Sequence, residues 1–225
     1  AGEPLGGEAG WPRERGAVHD ELWSEYLAPM RFEPPTELPL ARSLIVVAYR
    51  DPPVCFTFHW RGDALHTVVP PTYLDARAKD DRILAVVAGL LGPAGFSAVP
   101  AAVPKKLLAV RSGLARYGRN TLTYVPGMGS YHRLAAFHSD LPCETDGWRE
   151  ALLLDRCRGC RTCPSACPGG ALAADDLDLR ADRCLTFWNE KPPGVPFPGW
   201  VPPSSHNAVV GCLLCQAPCP ENRAV

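Results

Sequence analysis

The spacing of eight of the ten cysteines constrains this 225-residue chain more than any other feature of its sequence. The first run reads C-x2-C-x2-C-x3-C, the second reads C-x2-C-x3-C, each is followed by proline, and one further cysteine precedes the second run. Bacterial two-cluster ferredoxins use such runs, and the fourth cysteine of each run ligates the other cluster. The sequence therefore predicts two 4Fe-4S clusters with crossed ligation. Cluster 1 takes Cys157, Cys160, Cys163 and Cys219, and cluster 2 takes Cys167, Cys184, Cys212 and Cys215.

Two other uses of clustered cysteines compete with iron-sulfur clusters. Paired C-x2-C motifs build zinc sites with four cysteines, and ten cysteines in a secreted protein would form disulfides. Three cysteines within seven residues suit a cube better than one tetrahedral ion, and no secretory signal marks the chain. Cys55 and Cys143 stand outside the pattern, and we expect them to behave as ordinary small apolar residues.

The composition indicates a soluble globular protein rather than a membrane protein. Hydrophobic residues make up 46% of the chain, and the net charge of -1 argues against a strongly basic nucleic-acid surface. No apolar run approaches the ~20 residues that cross a bilayer. Residues 1–16 lack the apolar stretch of a secretory signal, and the Ala start fits a processed or partial chain. We therefore expect a cytoplasmic protein with no membrane partner.

The residues before the cysteine runs have the pattern of an α/β domain. Short apolar runs with β-branched residues predict strands, and apolar residues at helical spacing predict helices. The expected elements are strands 44–49, 121–125 and 133–139, helices 80–91 and 103–117, a helix cap at Gly118, and a turn at 126–130. We therefore predict an α/β (α+β) fold, with a cofactor or substrate domain at 1–150 and a two-cluster, bacterial-ferredoxin-like module at 151–225.

Basic residues concentrate around the second predicted helix and around the first cysteine run. The first group would seat a phosphate or another anionic group, or would form a solvated helix face. It consists of Lys105, Lys106, Arg111, Arg116 and Arg119. The second group would raise the potential of cluster 1, or would remain on the solvated surface. It consists of Arg156, Arg158 and Arg161.

Three segments before the cysteine runs resemble the epoxyqueuosine reductase family, which is distantly related to the reductive dehalogenases. They are RSLIVVAY (42–49), VRSGLARYGRNTL (110–122) and GSYHRLAAFHSDLPCE (129–144). The resemblance covers roughly residues 40–222. It implies a corrinoid such as cobalamin on an α/β domain that resembles nitroreductases, with two 4Fe-4S clusters feeding it electrons.

The resemblance also implies residues that line the cofactor region. Gly113, Leu114, Gly118, Asn120 and Thr121 match the family's Gly-Leu and Gly-Lys-Asn-Thr block, and Arg119 stands where the family usually has Lys. Together with the basic group, the candidate cofactor-binding residues are Lys105, Lys106, Arg111, Gly113, Gly118, Arg119 and Asn120.

One departure from the family bears on the substrate. The family places a catalytic acidic residue shortly before the Gly-Leu block, but this chain has no carboxylate between Ala94 and Gly113. Protonation of an epoxide oxygen would therefore need another donor, and we assign no catalytic residue. With the modest net charge, this makes tRNA a doubtful partner.

The sequence thus predicts an iron-sulfur oxidoreductase that passes electrons through two clusters to a cofactor or substrate. A redox protein would donate the electrons, and the substrate would be a small molecule or a modified nucleoside. The alternative is a ferredoxin-like electron-transfer protein without catalytic activity of its own. A protein with purely structural clusters is a third possibility.

Overall fold

The computed structural model describes residues 23–145, 147–173 and 179–223, and these residues form two compact units. The first unit takes the described residues of 1–49, 75–116 and 134–152. The second takes those of 50–74, 117–133 and 153–225. Each unit collects separate stretches of the chain, and the division into domains at residue 150 stays a prediction.

The described part of the chain is a mixed α/β structure, which confirms the predicted fold class. Its strands are β1 (Ser43–Arg50), β2 (Val54–Trp60), β3 (Asp63–Val69), β4 (Ala98–Pro100), β5 (Arg116–Tyr117), β6 (Thr123–Tyr124) and β7 (His132–Ser139). Its α-helices are α1 (Ala76–Leu91), α2 (Lys105–Arg111), α3 (Thr162–Ala166) and α4 (Leu185–Asn189). No helix among these is long and apolar enough to span a membrane.

The first unit is built on a three-stranded sheet with the order β1-β7-β4, in which β4 and β7 are antiparallel. Strands β1 and β7 confirm the strands predicted at 44–49 and 133–139. Helix α1 confirms the helix predicted at 80–91 and begins four residues earlier, at Ala76.

The apolar face of α1 is narrower than the sequence suggested. Its core contacts surround Val87, Ala135 and Phe137, and the partly buried side chains packed there are Ile45, Val47, Ile83, Leu84, Leu91 and Ala98. Val86 and Leu90 were expected on the same face, but they are 63% and 74% exposed. They lie to one side of the arc of about 100° that residues 83, 84, 87 and 91 occupy on the helix.

The second helix is much shorter than predicted. α2 covers Lys105–Arg111 instead of 103–117, and Gly113 follows it in a left-handed conformation with a φ of 80°. Glycine in this conformation just past the last turn is a common way for a helix to end. The predicted cap at Gly118 is therefore wrong.

After α2 the chain forms the short strand β5, which pairs with β6. The strand predicted at 121–125 is thus reduced to Thr123–Tyr124, with β5 as its partner rather than β7. The turn predicted at 126–130 is present, and the amide of Val125 donates to the carbonyl of Gly129 across it.

The second unit contains a β-hairpin that the sequence reasoning missed. β2 and β3 pair from Val54 opposite Val69 to Trp60 opposite Asp63, and Arg61 and Gly62 form the two-residue turn with positive φ. Such a turn is typical of hairpins. Large apolar residues alternate along β2 at Val54, Phe56, Phe58 and Trp60, so the sequence has a strand pattern that was overlooked, although every residue of β2 is exposed.

Candidate iron-sulfur centre

The seven cysteines of the two runs and Cys184 all lie in the second unit, in loops and short helical turns. The first run begins at the end of a 3-10 turn, Asp155–Cys157, and the amide of Cys160 donates to the carbonyl of Cys157. Gly159 between them has a φ of 76°, a conformation that glycine adopts at little cost. Helix α3 then carries Cys163 and ends just before Cys167.

The thiols assigned to cluster 1 influence one another across the two runs. Burial raises the pKa of the Cys163 thiol to about 11, with further contributions from the charges of Cys157 and Cys219. Burial is also the largest cause of the raised pKa of Cys157, and the charges of Cys219 and Cys160 add to it. Cys219 of the second run is therefore a near neighbour of Cys157 and Cys163 in the first, which supports the crossed assignment.

The thiols assigned to cluster 2 behave in the same way. The pKa of Cys215 is raised to about 12, mainly by burial. The charges of Cys212 and Cys184 also raise it, and those of Cys163 and Cys167 do so more weakly. Iron binds cysteine as the thiolate, so assembly of the clusters must release the protons that these thiols hold. The chemistry and the grouping of the two sets fit two cubes.

Among the residues that the structure describes, no three Cys, His, Asp or Glu side chains are arranged around a single metal ion. A cube binds its ligands at four separate corners, so the cysteines of one cluster need not converge on one point. The assignment of each cysteine to a cluster stays a proposal.

A tight turn at residues 118–122 presents two of the predicted cofactor residues to the cysteine loops. The amide of Gly118 donates to the carbonyl of Leu122, the amide of Thr121 donates back to Gly118, and Thr121 has a φ of 58°. A Cβ atom on Gly118 would stand 2.3 Å from the Tyr124 ring, so only glycine fits there. The turn thereby places Arg119 and Asn120 inside the second unit.

Both side chains bond to backbone next to the predicted ligands. Nη2 of Arg119 donates to the carbonyl oxygen of Cys157 at 2.8 Å, and Arg119 is only 9% exposed. Nδ2 of Asn120 donates to the carbonyl oxygen of Cys215 at 3.4 Å and to the hydroxyl of Tyr124 at 3.0 Å. In this unit, therefore, the two side chains contact the cysteine loops.

Tyr124 makes the most direct contact with a predicted ligand. Its hydroxyl donates to Sγ of Cys219 at 3.2 Å, and the residue is 4% exposed. Burial, followed by the hydrogen bond with Cys219, raises the pKa of Tyr124 far above its usual value, so the hydroxyl keeps its proton. Sequence reasoning missed Tyr124 because it was considered only as part of a short strand.

A buried polar network supports the second cysteine run and was also missed. Oδ1 of Asn222 accepts from the amide of Ser130 at 2.8 Å, and Nδ2 of Asn222 donates to the carbonyl of Gln216 at 2.9 Å. The Ser130 hydroxyl donates to Oε1 of Gln216 at 2.9 Å. These bonds tie the turn at 126–130 to the segment that holds Cys215 and Cys219.

The arginines that flank the first run are largely solvated. Arg156 is 64% exposed at its side chain and pairs with Glu221 at 2.6 Å, and Arg158 is 81% exposed and lies 3.9 Å from Asp155. The buried cation beside the first run is Arg119.

The remaining predicted cofactor residues belong to the first unit. Lys105 is half-buried and Lys106 is exposed, both at the start of α2. The guanidinium of Arg111 lies 5.8 Å from the ring centre of Trp148, and its Nη1 donates to the carbonyl of Arg149. A Cβ atom on Gly113 would stand 2.7 Å from Nη1 of Arg149. The predicted basic group is thus divided between the two units, with Arg119 in the second.

The two cysteines that are not proposed ligands, Cys55 and Cys143, are exposed thiols rather than buried apolar residues. Cys143 borders a cavity of about 340 Å³ in the first unit. The cavity is lined by Arg42, Ser43, Leu44, Leu108, Ser112, Cys143, Gly147 and Trp148. Its volume is at the small end of the range for ligand sites.

Residues 156–222 match the family of 4Fe-4S double cluster binding domains. This match covers both cysteine runs, and it favours iron-sulfur clusters over zinc. The C-terminal region therefore carries a 4Fe-4S double cluster binding domain.

The chain's relatives are epoxyqueuosine reductases, which confirms the family resemblance predicted from the sequence. The epoxyqueuosine reductase of Staphylococcus aureus is 26% identical over 221 residues, covering 87% of this chain and 52% of the relative. The chain thus spans about half the length of that relative. The relatives are named reductases, in agreement with the expected oxidoreductase class.

Solved structures support the same fold. The epoxyqueuosine reductase of Streptococcus thermophilus superposes with a TM-score of 0.67 at 20% identity, over 99% of this chain and 60% of that one. An epoxyqueuosine reductase with a tRNA-Tyr epoxyqueuosine-modified stem loop superposes with a TM-score of 0.65 at 21% identity, over 97% of this chain and 58% of that one.

The expectation that tRNA is a doubtful partner is wrong. A protein of the same fold binds a modified tRNA stem loop, although the present chain has a net charge near zero. Net charge describes the whole chain, whereas a nucleic acid meets a local surface. The overall charge is therefore a poor guide to whether a chain of this fold binds tRNA.

Proposed function

We propose that this chain is an iron-sulfur oxidoreductase that uses electrons from two 4Fe-4S clusters to reduce an epoxyqueuosine-type nucleoside in tRNA. The observation that carries the proposal is the proximity of thiols from the two cysteine runs: the charge of Cys219 raises the pKa of Cys163, and the charge of Cys167 raises the pKa of Cys215. The cluster ligands in this proposal are the two sets of four cysteines defined by the spacing. A redox protein is the proposed electron donor.

The substrate part of the proposal is supported by the relatives. They are named epoxyqueuosine reductases, and a protein of the same fold holds a tRNA stem loop that carries this modification. Loss of an epoxide oxygen as water, with formation of a carbon-carbon double bond, takes two electrons and two protons. When bound, each cluster supplies one electron at a time, so two clusters in one chain match the electron count.

This chain's own residues have two tasks in such a reaction. The eight thiolates hold the clusters, and the Gly118 turn and Tyr124 close the protein around Cys157, Cys215 and Cys219. Residues 94–113 hold no carboxylate, so the protons come from another kind of group, such as a different side chain, solvent or the substrate itself.

Only the family resemblance suggests that a corrinoid also takes part in the reaction. The side chains assigned to it contact protein groups within their own units, as Arg111 does with Arg149 and Arg119 with Cys157. No step of the proposed reaction is therefore assigned to a corrinoid.

The proposal is tested with the full chain reconstituted with iron and sulfide under anaerobic conditions. The protein is given a chemical reductant and an epoxyqueuosine-modified tRNA-Tyr stem loop, with and without cobalamin. Mass spectrometry of the nucleosides should show a product that is lighter by one oxygen atom. Cys163→Ser removes a proposed ligand of cluster 1 and should abolish the product. The matched control, Cys55→Ser, changes a cysteine that is not a proposed ligand and should leave the amount of product unchanged.

Each outcome separates the candidate functions. Product that forms only with cobalamin supports the corrinoid version, and product without it supports direct reduction by the protein. No product in either case, with clusters that are reoxidised by protein acceptors, favours the ferredoxin-like alternative. Clusters that accept no electrons from the reductant would indicate a structural role.

A further inference from the structure

We propose that Tyr124, together with Arg119, raises the reduction potential of cluster 1 and thereby makes this cluster the preferred electron acceptor of the pair. This inference rests on the two clusters of the proposed function and adds the residues that tune one of them. Neither residue is a ligand, so both act through the groups that hold the cluster.

The direction of the Tyr124 hydrogen bond is set by its neighbours. Sγ of Cys219 is a thiolate when it binds iron and has no proton to donate. Nδ2 of Asn120 donates to the Tyr124 oxygen at 3.0 Å. The hydroxyl proton of Tyr124 therefore points to the sulfur, 3.2 Å from the oxygen.

A donor at a ligand sulfur favours the reduced cluster, because reduction adds negative charge that the hydrogen bond offsets. Hydrogen bonds to the sulfurs are among the factors that set the potential of such clusters. Tyr124 is 4% exposed, so water cannot readily replace this donor when it is removed. The bond should therefore have a measurable effect on the potential.

The charge of Arg119 acts in the same direction. Its guanidinium donates to the carbonyl of Cys157, another proposed ligand of cluster 1, and the residue is 9% exposed. A buried charge is screened far less than the exposed Arg156 and Arg158. Arg119 thus stabilises the added electron on cluster 1.

Cluster 2 also has neutral donors at its sulfurs. Nδ2 of Asn207 donates to Sγ of Cys212 and the amide of Ala171 to Sγ of Cys167, both at 3.3 Å, and the backbone of Thr186 and Phe187 and the Thr186 hydroxyl bond to Cys184. The two sets differ in their cations, because Arg183 donates to the carbonyl of Gly169, which is not a ligand, and lies over the ring of Trp200, whereas Arg119 donates to the carbonyl of a ligand. We therefore expect the higher potential at cluster 1.

The test is a redox titration of the reconstituted full chain, followed by electron paramagnetic resonance (EPR) to resolve the two midpoint potentials. Tyr124→Phe should shift only the higher midpoint, toward more negative potential. Tyr131→Phe is the matched control. Burial and the charge of Cys219 raise the pKa of Tyr131, so it is close to the same sulfur, but its hydroxyl hydrogen bond is with Asn222. This control should leave both midpoints unchanged.

Arg119 is tested in the same titration. Arg119→Gln should shift the higher midpoint to more negative potential, and Arg119→Lys, which keeps the charge, should restore it toward the parent value. If Arg119→Gln does not fold, Tyr124→Phe still decides the matter because it removes a single oxygen atom.

The two proposals fail in different ways. Protein that takes up no clusters overturns the proposed function and this inference together. Protein with both clusters overturns the inference alone if Tyr124→Phe leaves both midpoints in place, shifts both equally, or shifts only the lower one.

Discussion

The α-carbon of Gly118 lies against the ring of Tyr124, so that a Cβ atom on Gly118 would stand 2.3 Å from Cε2 of the ring. This contact joins the two sides of the turn that places Arg119 and Asn120 beside the cysteine loops. The Tyr124 hydroxyl lies 3.2 Å from Sγ of Cys219. The glycine at position 118 is thus part of the packing around Cys219, a proposed ligand of cluster 1.

Gly118→Ala should destabilise the protein by about 1–3 kcal/mol, because the added methyl group has to displace the Tyr124 ring in a packed interior. The free energy of unfolding, measured by urea titration of the cluster-loaded chain, checks this expectation.

The comparison for that variant is Gly89→Ala. Gly89 lies in helix α1, and a Cβ atom there would meet nothing within 4 Å. Alanine in a helix interior should stabilise the chain by about 0.5–1 kcal/mol. Equal effects of the two variants would contradict the packing at Gly118.

Crossed ligation predicts which cysteine variants share a phenotype. Cys219→Ser should disturb the same cluster as Cys163→Ser, because both belong to the cluster 1 set, although Cys219 follows Cys215 closely in sequence. Each variant should lose or convert one cluster of two, so that iron falls to about half when the site empties. Iron analysis and EPR spectra of the reduced proteins give the comparison.

The expected likeness of Cys219→Ser to Cys163→Ser can be disproved by the same measurements. If the spectrum of Cys219→Ser matched that of Cys215→Ser instead of Cys163→Ser, ligation would follow sequence order and the crossed arrangement would be wrong. The variants Cys55→Ser and Cys143→Ser change exposed thiols outside the runs and should keep the full iron content.

Asn222 should be important for stability. Asn222→Ala leaves the buried amide of Ser130 and the carbonyl of Gln216 without this partner, which should cost about 1–3 kcal/mol. Glu221→Gln changes the next residue and weakens only a surface ion pair with Arg156, so it should cost about 1 kcal/mol or less. Thermal unfolding of both variants would show whether the buried network or the surface pair matters.

His132 should make the folded state sensitive to acid. Its Nδ1 lies 3.1 Å from the carbonyl of Gly129 and its Nε2 lies 3.0 Å from Oγ1 of Thr123, so the neutral ring donates to the first and accepts from the second. Burial lowers the pKa of His132, and the bond to Gly129 offsets part of this shift.

The unfolded chain therefore takes up a proton near pH 6.5, before the folded chain does. Stability should fall as the pH drops below about 6.5 and should not depend on this group above that value. His132→Gln should show a smaller loss of unfolding temperature between pH 7.5 and 5.5 than the parent chain. His59→Gln, an exposed position on β2, should keep the parent's loss, and the cluster absorbance must stay constant at both pH values.

Local patterns were predicted where short-range physics decides the outcome. The spacing of the apolar residues was sufficient to predict α1, because a helix repeats every few residues. The run of apolar residues at 133–139 was sufficient to predict β7. The length of α2 was not predicted, since both Gly113 and Gly118 could end a helix and only one adopts the left-handed conformation here. The hairpin β2-β3 was missed although apolar residues alternate along β2 and the Arg61-Gly62 turn follows it, a pattern that predicts a hairpin.

The sequence by itself determined the cofactor class of this protein, because the ligands of a cube must stand at short, regular spacings that are visible in the chain. Tertiary structure alone decided what surrounds those ligands. Tyr124 and Cys219 are 95 residues apart, and Arg119 and Cys157 are 38 apart. Contacts over such distances depend on how the turn at Gly118 packs against the cysteine loops, and no local spacing encodes that packing.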